Sequence, residues 1–105
     1  MHITFYPVRL PAPMRLEKKG DALKISGVVY DFTDLPEGAV LPREAVDCPL
    51  LHSDVTRIDG AIRLELILPF GGNAPEETRF PAPITDPPDG VIALPAYDTP
   101  EEDEE

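Results

Sequence analysis

The sequence predicts an all-β fold: a small antiparallel sheet or open sandwich, built from a meander and a long hairpin, with a proline-rich C-terminal arm. Two blocks of alternating apolar residues, and an Asp59-Gly60 pair between apolar runs, indicate strands joined by tight turns. The 14 prolines support this division, because none lies between Arg15 and Leu35 and eight lie from Pro69 to Pro100. Proline has no N–H to donate to a sheet, so central strands are expected where it is absent.

The length and composition predict one domain. The chain has 105 residues, 42% of them apolar, which suits one modest core. We expect a single β domain over residues 1–97 and a disordered acidic tail over residues 98–105 (DTPEEDEE). No apolar run approaches the roughly 20 residues that span a bilayer, and the N-terminus lacks the pattern of a signal peptide. We therefore expect cytoplasmic synthesis and no membrane partner.

Residues 14–33 form the predicted meander. Apolar residues alternate with polar ones on both sides of a Lys19-Gly20-Asp21 turn, which is the pattern of half-buried strands. At Ser26-Gly27 the alternation shifts, because the alternating apolar residues just before this pair stand at odd positions and those after it stand at even positions. Either these two residues form a second tight turn, or Gly27 marks a bulge in one bent strand. We favour the turn, which gives three strands.

Residues 35–51 connect the two strand-rich blocks. Pro36-Glu37-Gly38 has the composition of a turn. Pro42 stands before residues that suit one helical turn, because proline is favoured at the first helical position and an acid follows near it. This is the only helical segment that the sequence predicts.

Asp59-Gly60 is the strongest hairpin signal, because a two-residue type I′ turn needs positive φ at both central positions. In the register that this turn sets, one face of the hairpin carries apolar side chains at Val55, Ile62, Leu64, Leu66 and Leu68. Arg57 falls on the same face. Because it lies near the end of the hairpin, we expect its guanidinium to extend to water.

The arm covers residues 70–89, which are rich in proline and begin with Phe70, Gly71 and Gly72. We expect the two glycines to form a flexible turn where the chain leaves the sheet. The rest is expected to be extended or polyproline-like, with an edge strand over residues 78–84 as the alternative. An Asp89-Gly90 turn then leads into a last short strand over residues 91–94.

The residue types of a catalytic triad occur together at His52-Ser53-Asp54. Neighbours on a strand alternate faces, so these side chains are not expected to converge as nucleophile, base and orienting group. The single Cys48 excludes an intrachain disulfide, and Cys48, His52 and His2 are too few for a structural zinc site without a carboxylate. We therefore predict no catalytic residue, metal site or cofactor, and we expect the protein not to be an enzyme.

The net charge of −11 disfavours nucleic acid as a partner, because an acidic protein repels phosphates. Residues 1–27 carry five basic residues against two acids. We interpret these bases as the solvated face of a hairpin rather than as a binding patch, since exposed charge is the normal state of lysine and arginine.

Three segments carry a resemblance to a known family: residues 30–42 (YDFTDLPEGAVLP), 57–84 (RIDGAIRLELILPFGGNAPEETRFPAPI) and 89–101 (DGVIALPAYDTPE). They resemble small uncharacterised proteins encoded in prophage and phage-like clusters of alphaproteobacteria, near tail genes. The shared pattern is an aromatic-Asp-Phe, a Leu-Pro-x-Gly-Ala loop, an Asp-Gly hairpin and a proline-rich end. The resemblance implies a virion or virion-assembly setting and transfers no catalytic residue.

We therefore expect a non-enzymatic, tail-associated structural or assembly protein of a phage or prophage, acting through protein–protein contacts in the host cytoplasm or on the virion. An extended arm can lie along another subunit, with Phe70, Phe80 and Ile84 as anchors. The alternative is that the arm folds back on its own sheet and Phe80 lies in the core. A homo-oligomer also fits the sequence, because apolar residues occupy both faces near residues 64–68.

A different class of function fits the charge. The protein could be an acidic binding module directed at a host protein or a small ligand, with the acids of residues 98–105 imitating the charge of nucleic acid. Removal of the tail separates the two hypotheses, because a charge mimic needs these acids and an apolar arm does not.

Overall fold

The structure is a computed structural model that describes residues 1–98, and these residues form two β-sheets with little helix. The all-β prediction is confirmed. The strands of this part of the chain are β1 (His2–Arg9), β2 (Leu16–Lys19), β3 (Ala22–Ile25), β4 (Val28–Asp31), β5 (Val40–Leu41), β6 (Val55–Ile58), β7 (Ala61–Phe70), β8 (Ile84–Thr85) and β9 (Gly90–Val91). The five-stranded sheet has the order β5-β6-β7-β1-β8, and the four-stranded sheet has the order β4-β3-β2-β9.

The five-stranded sheet is built around a parallel pair that the sequence did not predict. β1 runs parallel to β7, with His2 opposite Arg63 at one end. Pro7 is tolerated in β1 because β8 pairs only with the first two residues of the strand, so among the described residues no strand lies beside Pro7 on that side. The buried alternation of Ile3 and Phe5 was the local signal for this strand.

The four-stranded sheet contains the predicted meander. β2, β3 and β4 follow one another in the sheet, and β9 adds to the free side of β2. Ser26 and Gly27 have φ of 49° and 91°, and they join β3 to β4 with Ile25 opposite Val28. The turn is therefore confirmed and the bulge is not present. The last strand, β9, is shorter than the predicted segment 91–94.

The β6–β7 hairpin has the predicted turn and register. Asp59 and Gly60 have φ of 53° and 78°, and Ile58 lies opposite Ala61. Every residue predicted for its inner face is buried: Val55, Ile62, Leu64, Leu66 and Leu68. The Glu37 carboxylate holds the tip, because its two oxygens accept the backbone N–H groups of Asp59 and Gly60, both at 2.7 Å.

The inner faces of the two sheets share one hydrophobic core. The five-stranded sheet contributes the inward row of the β6–β7 hairpin together with Ile3 and Phe5 of β1. The four-stranded sheet contributes Leu16, Leu23 and Ile25. Full burial of one such side chain is worth about 1.5–3 kcal/mol, so this shared core is the main force that holds the two sheets together.

Arg57 ties the hairpin to the opposite sheet, and the expectation that its guanidinium extends to water is wrong. The side chain is only 13% exposed. It donates to the carboxylate of Asp21 and to the carbonyl oxygens of Phe32, Thr33, Leu35 and Gly60. The loop that follows β4 presents the carbonyls of Phe32, Thr33 and Leu35, and the hairpin turn presents that of Gly60, so protein oxygens replace water around the charge.

The connections contain two short helical segments. A single 3₁₀ turn, Arg43–Ala45, follows Pro42, in agreement with the predicted helical turn. A second segment, α1 (Glu76–Arg79), lies in the arm, where the sequence predicted extended chain. It follows Pro75 and begins with two acids, which is the pattern that predicted the first segment. The alternative of an edge strand over residues 78–84 is wrong, because α1 occupies the start of that segment and the two-residue β8 begins only at Ile84.

Candidate functional site

The arm, residues 70–89, is fastened to its own subunit. Thr78 of α1 is buried, and its Oγ1 donates to the carbonyl oxygen of Ala96 at 2.5 Å. At the start of the arm, the N–H of Gly71 donates to the carbonyl oxygen of Tyr97 at 2.8 Å. Towards its end, β8 pairs with β1. The chain on both sides of α1 is therefore fixed to the sheet.

Asp98 closes the loop at the start of the arm. Its Oδ1 accepts the backbone N–H of Asn73 at 2.9 Å. Gly71 is buried against the same carboxylate, and a Cβ at this position would overlap with it. The expected turn is present, because the N–H of Ala74 donates to the carbonyl oxygen of Gly71 at 3.3 Å, and the lack of a side chain at Gly71 allows the close approach of Asp98. Asp98, which the sequence placed in the tail, belongs to the fold, and the rest of the predicted tail, residues 99–105, lies outside the described residues.

The three predicted anchor residues lie in different environments. Phe80 follows α1 and is 73% exposed. Phe70 ends β7, is half-buried, and its carbonyl accepts the N–H of Leu10 at 3.2 Å. Ile84 lies opposite Ile3 and packs against the core. The arm thus folds back on its own sheet, as the alternative supposed, but Phe80 is not in the core.

Residues 80–83 (Phe-Pro-Ala-Pro) form the apolar tip of the arm. Phe80, Ala82 and Pro83 are exposed, and Pro81 is half-buried. The two prolines fix φ and lack an N–H, so they restrict the tip to few conformations and leave it few donors. The tip can therefore be recognised by its shape and its apolar surface, and its conformation costs little entropy to hold in a complex.

The side chains of His52, Ser53 and Asp54 make no hydrogen bond to one another, and the three residues lie in the connection before β6 rather than on a strand. His52 Nδ1 lies 2.7 Å from Glu65 Oε1. Ser53 Oγ accepts the backbone N–H of Glu65 at 2.8 Å and donates to the carbonyl of Asp54. The Asp54 carboxylate accepts the backbone N–H of Arg43 at 2.9 Å. The three side chains therefore do not line up as a catalytic triad.

Sequence reasoning missed an aromatic stack on the outer face of the five-stranded sheet. The rings of Tyr6 and His52 lie 4.1 Å apart between centroids and 6° from parallel. Glu65 holds the imidazole from its side through the hydrogen bond between Nδ1 and Oε1. The stack depends on the parallel β1–β7 pair, which no local pattern in the sequence indicates.

Cys48 is buried beside Tyr30 and packs as a small apolar residue. The hydroxyl of Tyr30 donates to the carbonyl oxygen of Asp47 at 3.1 Å. Burial, a hydrogen bond with the Cys48 thiol and the nearby charge of Asp47 raise the pKa of Tyr30. This cluster joins β4 to the connection that precedes β6.

No protein-family model, curated protein or solved structure matches the chain. Function therefore has to be argued from the geometry itself. Within residues 1–98, no group of three His, Cys, Asp or Glu side chains could hold a metal ion. In the same part of the chain, no helix has the length and apolarity needed to cross a membrane.

All three lysines of the chain surround one open groove on the outer face of the four-stranded sheet. The groove has a volume of about 530 Å³ and is lined by Lys18, Lys19, Lys24, Ala22 and Val29, among others. Lys18 Nζ donates to Asp89 at 3.0 Å, and this bond, with a second from the N–H of Gly20, lowers the pKa of Asp89. Three of the five basic residues of the N-terminal third thus line one groove at the four-stranded sheet, whereas Arg9 lies on β1 of the other sheet.

Proposed function

We propose that the protein is a non-enzymatic structural or assembly protein of a phage or prophage, associated with the tail, and that it acts through protein–protein contacts made by the arm. The observation that carries the proposal is the apolar tip, residues 80–83, where a phenylalanine is 73% exposed on a segment fixed at both ends. The sequence resemblance supports the phage setting.

The energetics of the tip favour a contact role. Burying an exposed phenylalanine side chain is worth about 1.5–3 kcal/mol, and aromatic residues dominate the energy of protein interfaces. The Thr78 hydrogen bond and the β8–β1 pairing hold the tip in place, so a partner does not have to order the arm. Of the three predicted anchors, Phe80 is the side chain available to a partner, while Phe70 and Ile84 mainly support the arm.

Complementation of a gene deletion tests the proposal. Particles are induced from cells that carry the wild-type chain, Phe80→Ser or Val40→Ser, and the yield of infectious particles is counted. Val40 is a matched control, because it is 56% exposed and lies on β5, outside the arm. We expect the wild type and Val40→Ser to restore the yield and Phe80→Ser to fail, with the same thermal unfolding midpoint in all three.

Two outcomes would contradict the proposal. If Phe80→Ser complements the deletion as well as the wild type does, the apolar tip is not needed for particle formation. Unchanged particle yield after deletion of the gene would remove the assembly role altogether.

The acidic binding module is the competing proposal, because five of the seven residues 99–105 are acidic. A fair test deletes residues 99–105 and keeps Asp98, since Asp98 closes the loop over Gly71. If the truncated chain complements the deletion, the result supports a contact made by the arm. If the truncated chain fails and Phe80→Ser complements normally, the result supports the acidic binding module.

A further inference from the structure

β4 is the one long sheet edge without a neighbouring strand among the described residues. The four sheet edges are β4, β5, β8 and β9, and all except β4 are two residues long. A proline directly flanks β5 and β8, and Pro88 lies two residues before β9. β4 has four residues and no proline in it or beside it. Short length and proline are the usual means by which proteins protect a sheet edge, and β4 has neither.

The side chains of β4 do not protect it either. Val28 and Val29 are 53% and 62% exposed. The single charge on the strand, Asp31, is turned back along its own chain, where its carboxylate accepts the N–H and the hydroxyl of Thr33. No lysine points across the edge from β4 itself. The edge is therefore apolar and open at Val28 and Val29, while the connection before β6 contacts the strand at Tyr30.

The backbone of β4 has hydrogen-bonding groups available on this edge. In a two-residue hairpin the residues that flank the turn form a hydrogen-bonded pair, so Val28 bonds to Ile25 of β3. Bonding then alternates, and the bond from the N–H of Phe32 to the carbonyl of Asp21 fits this alternation. The N–H and C=O groups of Val29 and Asp31 consequently point away from β3, towards the open edge.

We propose that β4 pairs with β4 of a second copy of this chain, antiparallel, about a two-fold axis at Val29. In this register Val29 faces its own counterpart and exchanges two hydrogen bonds with it, because both of its backbone groups point outwards. Val28 then faces Tyr30 of the second copy, and Asp31 faces Gly27. No like charges meet, so the strand is complementary to itself, and the pairing joins two four-stranded sheets into one.

The pairing is expected to be weak and to strengthen with salt. Two four-residue strands bury less than the roughly 1,200 Å² of a standard stable interface. Each copy carries a net charge of −11, and the repulsion between copies falls as salt screens it. Two copies could also associate if an acidic segment of one bound in the groove lined by Lys18, Lys19 and Lys24 of the other. That association would weaken with salt, because salt screens the attraction between opposite charges. The contact uses a different sheet from the apolar tip, so its test does not depend on the proposed function.

Disulfide trapping tests the register. Val29→Cys and Val91→Cys place one thiol each at opposite edges of the same sheet face, and buried Cys48 remains in both. Facing residues of a hydrogen-bonded pair have Cα atoms about 5.5 Å apart, which a disulfide can bridge. Val91 is the more exposed position, at 80%. We expect a covalent dimer to form faster from Val29→Cys, whereas random collision predicts faster formation from Val91→Cys and would overturn the proposal.

Sedimentation velocity of the full chain gives an independent test. We expect a concentration-dependent dimer that strengthens between low and high salt and that Val29→Lys weakens by at least about tenfold in Kd. Val40→Lys places the same charge on β5 and is expected to leave the dimer unchanged. A strictly monomeric wild type, a Val29→Lys variant that dimerises normally, or association that weakens with salt would each overturn the proposal.

Discussion

Replacement of Arg57 by methionine should destabilise the protein far more than the same replacement at the exposed Arg63. Methionine keeps the length of the side chain and removes the guanidinium. Arg57 is 13% exposed and donates to five oxygens, of which four are backbone carbonyls and one belongs to Asp21. These oxygens lie on the loop after β4, on the hairpin tip and on the turn before β3, so one side chain joins three parts of the fold.

The expected loss of stability is about 3–4 kcal/mol. Removing one partner of a largely buried charge pair costs about 3–5 kcal/mol, because the other groups remain without donors. The lower part of this range applies here, since the Asp21 side chain is 35% exposed and water can reach it. At about 4–5 °C per kcal/mol for a domain of this size, the unfolding midpoint should fall by roughly 15 °C.

The assay is urea and thermal unfolding followed by circular dichroism, with Arg63→Met as the matched control. Arg63 lies on β7 of the same hairpin and is exposed, so its replacement should cost less than about 0.5 kcal/mol. Arg57→Lys should recover little, because an ammonium cannot reproduce the planar array of donors. If Arg57→Met unfolds at the same urea concentration as Arg63→Met, the role assigned to Arg57 is refuted.

Three further changes test other parts of the fold. Glu37→Gln should lower the free energy of unfolding in urea by about 1 kcal/mol, because one of the two acceptor oxygens is replaced by an NH2 group that cannot accept a hairpin-tip N–H, and the remaining bond loses its charge. Gly71→Ala should cost about 1–3 kcal/mol by displacing Asp98, while Gly72→Ala should be nearly neutral because its Cβ would meet only the end of a flexible arginine. Because the pKa of Asp89 is lowered in the folded protein, its carboxylate stabilises the fold at pH values above the unfolded pKa of about 3.9. This stabilisation is lost as the pH falls through the lower folded pKa. Asp89→Asn should therefore be less stable than the wild type at pH 7, and the difference in unfolding free energy should shrink as the pH falls below about 3.9.

The turns and the hairpin could be predicted because their signals are local. Asp59-Gly60 and Ser26-Gly27 tolerate positive φ, and the spacing of apolar residues on each side then sets the register. The helical turn α1 could have been predicted as well, because Pro75 and the acids after it repeat the pattern at Pro42. The proline content of the arm alone predicted an extended chain, and that prediction is wrong at α1.

The parallel pairing of β1 and β7 could not be predicted, because it joins residues about sixty positions apart and leaves no turn between them. The Tyr6–His52 stack depends on that pairing and was missed for the same reason. Arg57 is an intermediate case. Its place on an apolar face was visible in the sequence, but the carbonyls that satisfy it come from a loop whose path only the tertiary structure fixes.

The apolar tip shows the same limit. Phe80 could be chosen from the sequence as a contact residue, but its exposure depends on Thr78 being drawn into the protein two residues earlier. Thr78 lies within α1 and Phe80 is the residue that follows the helix, so the two side chains are two positions apart on a helical turn and point in different directions.

Photo-crosslinking from position 80 tests the central claim most directly. A benzoyl-phenylalanine replaces Phe80 in the full chain, in the native host cell, and the same residue at Val40 serves as the control. If the apolar tip binds a partner, position 80 gives one discrete crosslinked protein and position 40 gives none. The binding role of the tip is contradicted if position 80 gives no product, or only the same diffuse products as position 40.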